Sequence, residues 1–188
     1  MRGLDHYRDL IRLCPAAPLK GNAFRVIPGS AIVNKIPFDR LFFGKSAGRC
    51  NPRGVARLYA SLDKETALAE FEYYERKAGL DPTLSESFHY PLAVDLASVL
   101  DLSDSDNRDK LGLSDTDMRE TYIDGAVPPL TSLQLVGIAV AGGLGNLTAI
   151  RFPSVRNPTG SNIVIFRDVL KKGTDCVASA ANPALRLP

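Results

Sequence analysis

Residues 57–79 read RLYASLDKETALAEFEYYERKAG, and this stretch contains the clearest change of secondary structure in the chain. Arg57 to Ser61 has the composition of a strand, and the residues from about Asp63 to Ala78 are predicted to form a helix. The acidic Glu65 suits the positive N-terminal end of that helix, and Gly79 is a good residue to end it. A strand that leads directly into an amphipathic helix indicates a domain of mixed α and β structure.

The predicted helix has one apolar face. Ala67, Leu68, Phe71, Tyr74 and Ala78 recur at helical spacing and form a single stripe. Such a stripe normally packs against the core of the domain.

Two acidic residues of this helix, Glu70 and Glu72, stand two positions apart. On a strand they would share a face, but two helical steps amount to roughly 200° of rotation, so their side chains point in different directions. Glu72 is interpreted as a solvated charge. Glu70 lies beside the apolar stripe, so by pattern alone it is either a surface charge or a carboxylate that faces a cleft beside the core.

The rest of the chain alternates between shorter helices and strands without a regular βαβ rhythm. This favours an α+β fold with largely antiparallel sheets, in one domain spanning residues 1–188. We expect the strand that includes Pro91 to lie at a sheet edge, and we expect the tail from Lys171 to Pro188 to be loose. The other predictions are a helix over 4–13, a strand over 23–27, a long connection over 28–55, a strand over 88–94, a helix from Ser114 to about Ile123, a helix capped by Thr131 or Ser132, and strands over 147–152 and 162–166.

Composition excludes several function classes. The 188 residues include 23 basic and 21 acidic side chains, a formal charge of +2, which gives no electrostatic reason to expect a nucleic-acid partner. No apolar run approaches the roughly 20 residues of a membrane helix, so we expect a cytoplasmic protein with no membrane partner. The three cysteines, Cys14, Cys50 and Cys176, are far apart and the two histidines are isolated, so we predict neither a disulfide framework nor a metal site.

Two further residues attract attention but have ordinary interpretations. Arg49 lies in a loop rich in small residues, where an arginine is normally solvated or else holds a phosphate with its two parallel donors. Ser154 precedes a turn and has no histidine near it in sequence, so it is interpreted as a cap on a backbone group rather than a nucleophile.

Taken together and in order, six short blocks of this chain resemble the RES domain, a family named for a conserved Arg, Glu and Ser. The resemblance covers about residues 24–166, after an N-terminal helical segment over residues 1–22. The blocks are Phe24-Arg25-Val26, Gly48-Arg49-Cys50-Asn51-Pro52-Arg53-Gly54, Leu58-Tyr59-Ala60-Ser61, Glu65-Thr66-Ala67-Leu68-Ala69-Glu70, Phe152-Pro153-Ser154-Val155-Arg156 and Gly160-Ser161-Asn162-Ile163-Val164-Ile165-Phe166.

One departure from the family pattern stands at Cys50. The family usually has a tryptophan after the loop arginine, and this chain contains no tryptophan. A stacking or packing role at this position is therefore in doubt. We interpret Cys50 as a small apolar residue that fills space.

The resemblance implies a fold similar to that of ADP-ribosyltransferase toxins, with two small, mainly antiparallel sheets and flanking helices. It implies that NAD+ is the substrate, held in a cleft between the sheets without a metal. Many such proteins are toxins of bacterial toxin–antitoxin pairs, so the implied partner is a helix-turn-helix antitoxin of the Xre type that covers the cleft.

The resemblance also assigns roles to residues of this sequence. Glu70, together with Tyr59 and Arg49, is expected at the catalytic centre. NAD+ is expected to be bound by Arg25, Arg49, Tyr59, Ser154 and Asn162. Hydrolysis or phosphorolysis of NAD+ is the preferred reaction. Mono-ADP-ribosylation of a protein and a catalytically inactive, antitoxin-binding role remain as alternatives.

Overall fold

The computed structural model describes residues 3–35, 42–119, 129–180, 182 and 186–187. Within these residues the helices are α1 (Leu4–Ile11), α2 (Gly29–Val33), α3 (Lys64–Lys77), α4 (Ser105–Leu111), α5 (Asp115–Arg119) and α6 (Ser132–Ala141). The strands are β1 (Ala16–Pro28), β2 (Arg57–Ser61), β3 (Ser87–Asp101), β4 (Ala149–Pro153), β5 (Ser161–Phe166), β6 (Cys176–Ser179) and β7 (Arg186–Leu187). The α+β class predicted from the sequence is confirmed.

The strands form one hydrogen-bonded sheet in the order β1-β2-β5-β4-β3-β6-β7, and β1 also pairs with β3. That extra pairing joins β1, β2, β5, β4 and β3 into a closed ring. All pairings are antiparallel except that of β3 with β4. The largely antiparallel pairing agrees with the prediction from the sequence. The strands thus form one continuous sheet where the resemblance implied two small ones, because the long strand β3 pairs with β1 along most of its length and with β4 near its end.

The core lies on both faces of this sheet, and β5 shows why. Ile163 and Ile165 belong to one buried cluster, whereas Val164 and Phe166 belong to the other. Side chains alternate along a strand, so a strand that is covered on both faces needs an uninterrupted apolar run. Helices α1, α4 and α6 supply residues to the cluster that contains Phe166.

Helix α3 begins and ends as the sequence predicts. The Asp63 carboxylate accepts a hydrogen bond from the Thr66 backbone N–H at 2.7 Å, and Gly79 after the helix adopts a φ of +78°. The apolar stripe is only partly in the core: Ala67 is buried, but Tyr74 is 46% exposed. The stripe lines a cavity instead of packing fully against the sheet, as described below.

Two expectations about strands are wrong or incomplete. The strand predicted over 23–27 is part of the much longer β1. The strand that contains Pro91 does not lie at a sheet edge, because β3 pairs with β1 on one side and with β6 on the other from Leu92 onwards. The Pro91 carbonyl faces the β6 side and accepts from Ala180 N–H at 3.2 Å, just beyond the last residue of β6. The missing N–H of the proline faces the same side, where β6 has already ended, so no ladder hydrogen bond is lost.

The expectation of a loose tail is wrong for residues 171–180; residues 181, 183–185 and 188 lie outside the described part of the chain. Val177 is 1% exposed, and it pairs with Val94 of β3, so β6 completes the buried cluster on that face of the sheet. The sequence hides this strand because it has only four residues, between turn-forming and polar segments.

The remaining predicted helices are located as expected or lie partly outside the described residues. Thr131 caps α6 through a reciprocal pair of hydrogen bonds with Gln134. The Ser114 hydroxyl accepts from the Asp117 backbone N–H at 3.2 Å at the start of α5, and the predicted continuation from residue 120 onwards is outside the described residues. The long connection over 28–55 begins with the short helix α2, and its residues 36–41 are not described. In the part of the chain that is described, no helix combines the length and the apolar character needed to cross a membrane.

Candidate active site

A cavity of about 410 Å³ opens where β1 and β2 diverge. These two strands pair at Phe24 and Ser61, and α3 and the loop over residues 46–49 complete the walls. The volume lies in the range of small-molecule sites. Five of the six predicted site residues line it, namely Arg25, Arg49, Tyr59, Glu70 and Asn162.

Glu70 is held by two side chains that donate to the same carboxylate oxygen. Ser154 Oγ lies 2.8 Å and Asn162 Nδ2 lies 2.7 Å from Glu70 Oε1. Asn162 is itself fixed, since its Oδ1 accepts from the Ser61 hydroxyl at 2.7 Å. Among the described residues no group donates to Glu70 Oε2. The carboxylate is therefore oriented through one oxygen, and the other is left for a ligand.

Ser154, the sixth predicted residue, is 6% exposed and lies behind Glu70 instead of lining the cavity. Its hydroxyl also accepts from the backbone N–H groups of Arg156 and Asn157, both at 3.0 Å. The interpretation of Ser154 as a cap on backbone groups is thus confirmed, and the same hydroxyl uses its proton to contact Glu70.

Arg25 is a partly buried cation. Its Nη1 donates to the Tyr59 carbonyl at 2.8 Å, and no carboxylate contacts its guanidinium among the described residues. Burial, with a smaller contribution from the positive charge of Arg57, lowers the pKa of Arg25 to about 10. Arg25 stays protonated at neutral pH, so the cavity holds a positive charge that lacks an anion.

Arg49 adds a second guanidinium with unused hydrogen-bonding capacity. Its Nη1 is buried and has no hydrogen-bond partner among the described residues. The guanidinium carbon lies 5.9 Å from the centroid of the Phe152 ring, a distance typical of a cation–π contact. Arg49 is partly buried, because the fold turns its loop inward over Phe152.

Tyr59 lines the cavity with its ring, but its hydroxyl is used inside the protein. The hydroxyl accepts from Cys50 N–H at 2.8 Å and donates to Asn51 Oδ1 at 2.9 Å. Gly48 lies so close that a Cβ there would be 2.7 Å from the Tyr59 hydroxyl oxygen. Tyr59 therefore holds the loop that carries Arg49.

Cys50 fills space in the core, as the sequence predicts. It is fully buried, and burial raises the pKa of its thiol to about 12. The approach of its backbone to α6 is so close that a Cβ at Gly137 would lie 1.6 Å from the Cys50 carbonyl oxygen. All three cysteines are free thiols, and the described residues contain no group of side chains that could hold a metal ion.

Three residues at or behind the cavity, Arg57, Asn51 and Gln134, were not predicted from the sequence as part of the site. Arg57 lines the cavity, donates to Ser46 Oγ at 2.8 Å and lies over the Tyr59 ring. Strand periodicity could have found it, because residues 57, 59 and 61 share one face of β2. Gln134 Nε2 donates to the carbonyls of Gly48 and Asn51 at 3.1 and 3.2 Å, a contact 83 or more residues away in sequence that no local pattern reveals.

Comparisons with known proteins agree with this architecture. A chain from the crystal structure of the M. tuberculosis MbcT–MbcA toxin–antitoxin complex is similar, with a TM-score of 0.66 and 16% sequence identity. The similarity covers 91% of this chain and 88% of that one, and at this identity it concerns the fold. A search of curated proteins gave no match. The family model of the RES domain matches residues 23–188. The chain therefore belongs to the RES domain family.

Proposed function

We propose that this protein cleaves the bond between nicotinamide and ribose in NAD+. The observation that carries the proposal is the pairing, in one cavity, of an oriented carboxylate at Glu70 with guanidinium groups that lack an anion. NAD+ matches both features, because it carries a pyrophosphate and a ribose whose anomeric carbon becomes positive during cleavage.

In the reaction, the bond between the anomeric carbon and the pyridinium nitrogen breaks, and its electron pair neutralises the nicotinamide ring. Positive charge develops on the ribose, and a nearby fixed carboxylate stabilises it. The oxygen of water or phosphate then bonds to the anomeric carbon. Attack by water releases ADP-ribose, nicotinamide and a proton, whereas attack by phosphate gives ADP-ribose 1-phosphate and nicotinamide.

Glu70 is suited to this task because Ser154 and Asn162 hold it through Oε1. A carboxylate that is already oriented needs little reorganisation when charge appears. Its Oε2 is in a position to bond a ribose hydroxyl or the attacking group.

Arg25 and Arg49 are the proposed ligands of the pyrophosphate. Guanidinium donors are arranged in a fork that matches phosphate oxygens. Arg57 adds a third positive charge to the lining. The ring of Tyr59 offers an apolar surface to the nicotinamide end, while its hydroxyl positions the Arg49 loop.

In the cell we propose a toxin that depletes cytoplasmic NAD+ and is inhibited by an antitoxin of the Xre helix-turn-helix type covering the cavity. Membership of the RES domain family and the similarity to a chain of a toxin–antitoxin complex support this role.

The test is nicotinamide release from NAD+ by the purified protein, followed by chromatography with and without inorganic phosphate. Release without phosphate indicates hydrolysis, and release that requires phosphate indicates phosphorolysis. A parallel reaction in cell lysate uses NAD+ that is labelled in its adenylate. The label then appears either in free ADP-ribose or on protein bands. Label on protein would favour ADP-ribosyl transfer, and no reaction in either arm would leave an antitoxin-binding role without catalysis.

A further inference from the structure

The loop over residues 154–160 meets one face of α3 at three successive points. Thr66, Glu70 and Tyr73 are spaced by four and three residues, so they lie on the same side of the helix. The loop residues that contact them, in the same order along the helix, are Asn157, Ser154 and Arg156. Glu70 is therefore flanked on both sides by contacts with the loop that supplies its serine.

The contact before Glu70 is a tight polar one. Asn157 Nδ2 donates to Thr66 Oγ1 at 2.8 Å, and Thr66 is fully buried. Gly160 brings the end of the loop against the same residue, because a Cβ at Gly160 would lie 1.8 Å from Thr66 Oγ1. The start of α3 thus fixes one side of the loop.

The contact after Glu70 is a stacked cation. The guanidinium carbon of Arg156 lies 3.3 Å from the centroid of the Tyr73 ring. Arg156 Nε is buried without a hydrogen-bond partner among the described residues, and none of their carboxylates lies within ion-pair distance of Arg156. The ring of Tyr73 is therefore the main favourable contact of this guanidinium within the part of the chain that is described.

Neither Arg156 nor Tyr73 lines the cavity. Their position relative to Ser154 suggests what the contact does: the Arg156 backbone N–H donates to Ser154 Oγ at 3.0 Å. If the Arg156 side chain is fixed on α3, the hydroxyl of Ser154 is fixed within reach of Glu70.

We propose that Arg156 and Tyr73 form a clamp that positions Ser154 against Glu70, and that both are positioning residues for the cleavage of NAD+. This inference rests on the proposed function for its catalytic consequence, whereas the clamp itself is a property of the protein without ligand. Loss of the clamp removes one of the two donors that orient the carboxylate and leaves the arginine lining intact. The expected effect is therefore on kcat and not on KM.

The experiment uses Arg156→Met and Tyr73→Leu, singly and together, with Tyr73→Phe as the matched control that keeps the ring. Nicotinamide release gives kcat and KM, and NMR hydrogen exchange gives the protection of the Arg156 and Asn157 amides. We expect kcat to fall about tenfold or more in each single variant, KM to stay within about twofold, and the double variant to be no slower than the slower single variant. The amides of residues 156 and 157 should exchange at least about tenfold faster in Tyr73→Leu, and Tyr73→Phe should behave as wild type.

The two measurements, nicotinamide release and amide exchange, distinguish failure of this inference from failure of the proposed function. A wild-type protein that releases no nicotinamide would refute the NAD+ reaction, and the exchange rates would still decide whether the clamp exists. Unchanged exchange in Arg156→Met and Tyr73→Leu would overturn the clamp. Faster exchange with an unchanged kcat would overturn its positioning role.

Discussion

The hydroxyl of Ser154 donates a hydrogen bond to Oε1 of Glu70 at 2.8 Å, across 84 positions of sequence. Asn162 donates to the same oxygen from the neighbouring strand β5. Both donors thus orient the carboxylate from the protein side and leave its second oxygen without a donor among the described residues. This asymmetry is the basis of the role proposed for Glu70.

Removing the second donor should slow the reaction. A hydrogen bond to a charged group contributes about 1.5–3 kcal/mol, so we expect Asn162→Ala to lower kcat by about tenfold or more. Ser61→Ala removes only the bond that orients Asn162, and it should have a smaller effect in the same direction. Steady-state nicotinamide release checks both, and equal kcat values in wild type and Asn162→Ala would refute the orienting role.

Arg49→Ala should mainly weaken the binding of NAD+. Arg49 lines the cavity, and no carboxylate lies within ion-pair distance of it among the described residues, so its charge can act on a phosphate group in the cavity. We expect KM to rise about tenfold or more and kcat to stay within about threefold. A large fall in kcat at saturating NAD+ would instead indicate that Arg49 acts in the transition state.

Gln134 offers a way to move the Arg49 loop without touching the cavity. Its Nε2 donates to the carbonyls of Gly48 and Asn51, while its Oε1 accepts from Thr131 N–H at 3.2 Å. Gln134→Glu keeps the acceptor but turns the donor into a charged oxygen that faces two carbonyls. We expect a raised KM from a displaced loop.

The matched control for this variant is Thr131→Ala, which removes the cap on α6 and leaves both loop contacts. It should lower the melting temperature, because loss of an N-cap typically costs about 1 kcal/mol, with little change in KM. If Gln134→Glu and Thr131→Ala changed stability and KM in the same proportion, the specific link between Gln134 and the loop would be disproved.

Arg25 is expected to lower the stability of the folded protein while strengthening the binding of NAD+. Partial burial of a cation without a counter-charge opposes folding, and this desolvation lowers the pKa of Arg25 to about 10. Arg25→Met should therefore melt at the same temperature as wild type or higher, yet bind NAD+ at least about tenfold more weakly. Calorimetry with and without NAD+ measures both, with Arg25→Lys as the charged control, and a clear loss of stability in Arg25→Met would contradict this account.

The sign of the pH effect follows from the same shift. The folded pKa of Arg25, about 10, lies below its ordinary value, so the unfolded chain keeps the proton at pH values where the folded protein has released it. Stability from this group therefore increases as the pH rises from about 10 towards the ordinary pKa of an arginine. This contribution should be absent in Arg25→Met.

The elements that the sequence predicts well are those in which local pattern and tertiary packing agree. Helix α3 has a side-chain cap at Asp63, a terminating glycine and an apolar stripe, and β5 is a continuous apolar run. Strand β6 escaped prediction because its burial depends on pairing with β3, far away in sequence. The wrong prediction of an edge position for the strand that contains Pro91 has a similar origin. A proline is tolerated in this internal strand because β6, distant in sequence, ends next to it.

The site residues likewise divide into those that a local sequence pattern predicts and those that depend on contacts between distant segments. The family blocks contain Arg25, Arg49, Tyr59, Glu70, Ser154 and Asn162, and the structure gathers all of them at or directly behind one cavity. No local pattern predicts that the Tyr59 hydroxyl is hydrogen-bonded within the Arg49 loop, or that Gln134 holds that loop from α6. Both are contacts between distant segments, and their partners carry no local signal.

The central claim is that Glu70 catalyses NAD+ cleavage, and Glu70→Gln tests it most directly. Glutamine keeps the Oε1 acceptor for Ser154 and Asn162, so the architecture of the site should survive while the charge is lost. The measurement is nicotinamide release at saturating NAD+ together with NAD+ affinity by calorimetry, for wild type and variant. The account predicts a fall in kcat of about a hundredfold or more with affinity changed by less than about threefold. Near-normal nicotinamide release by Glu70→Gln would contradict it.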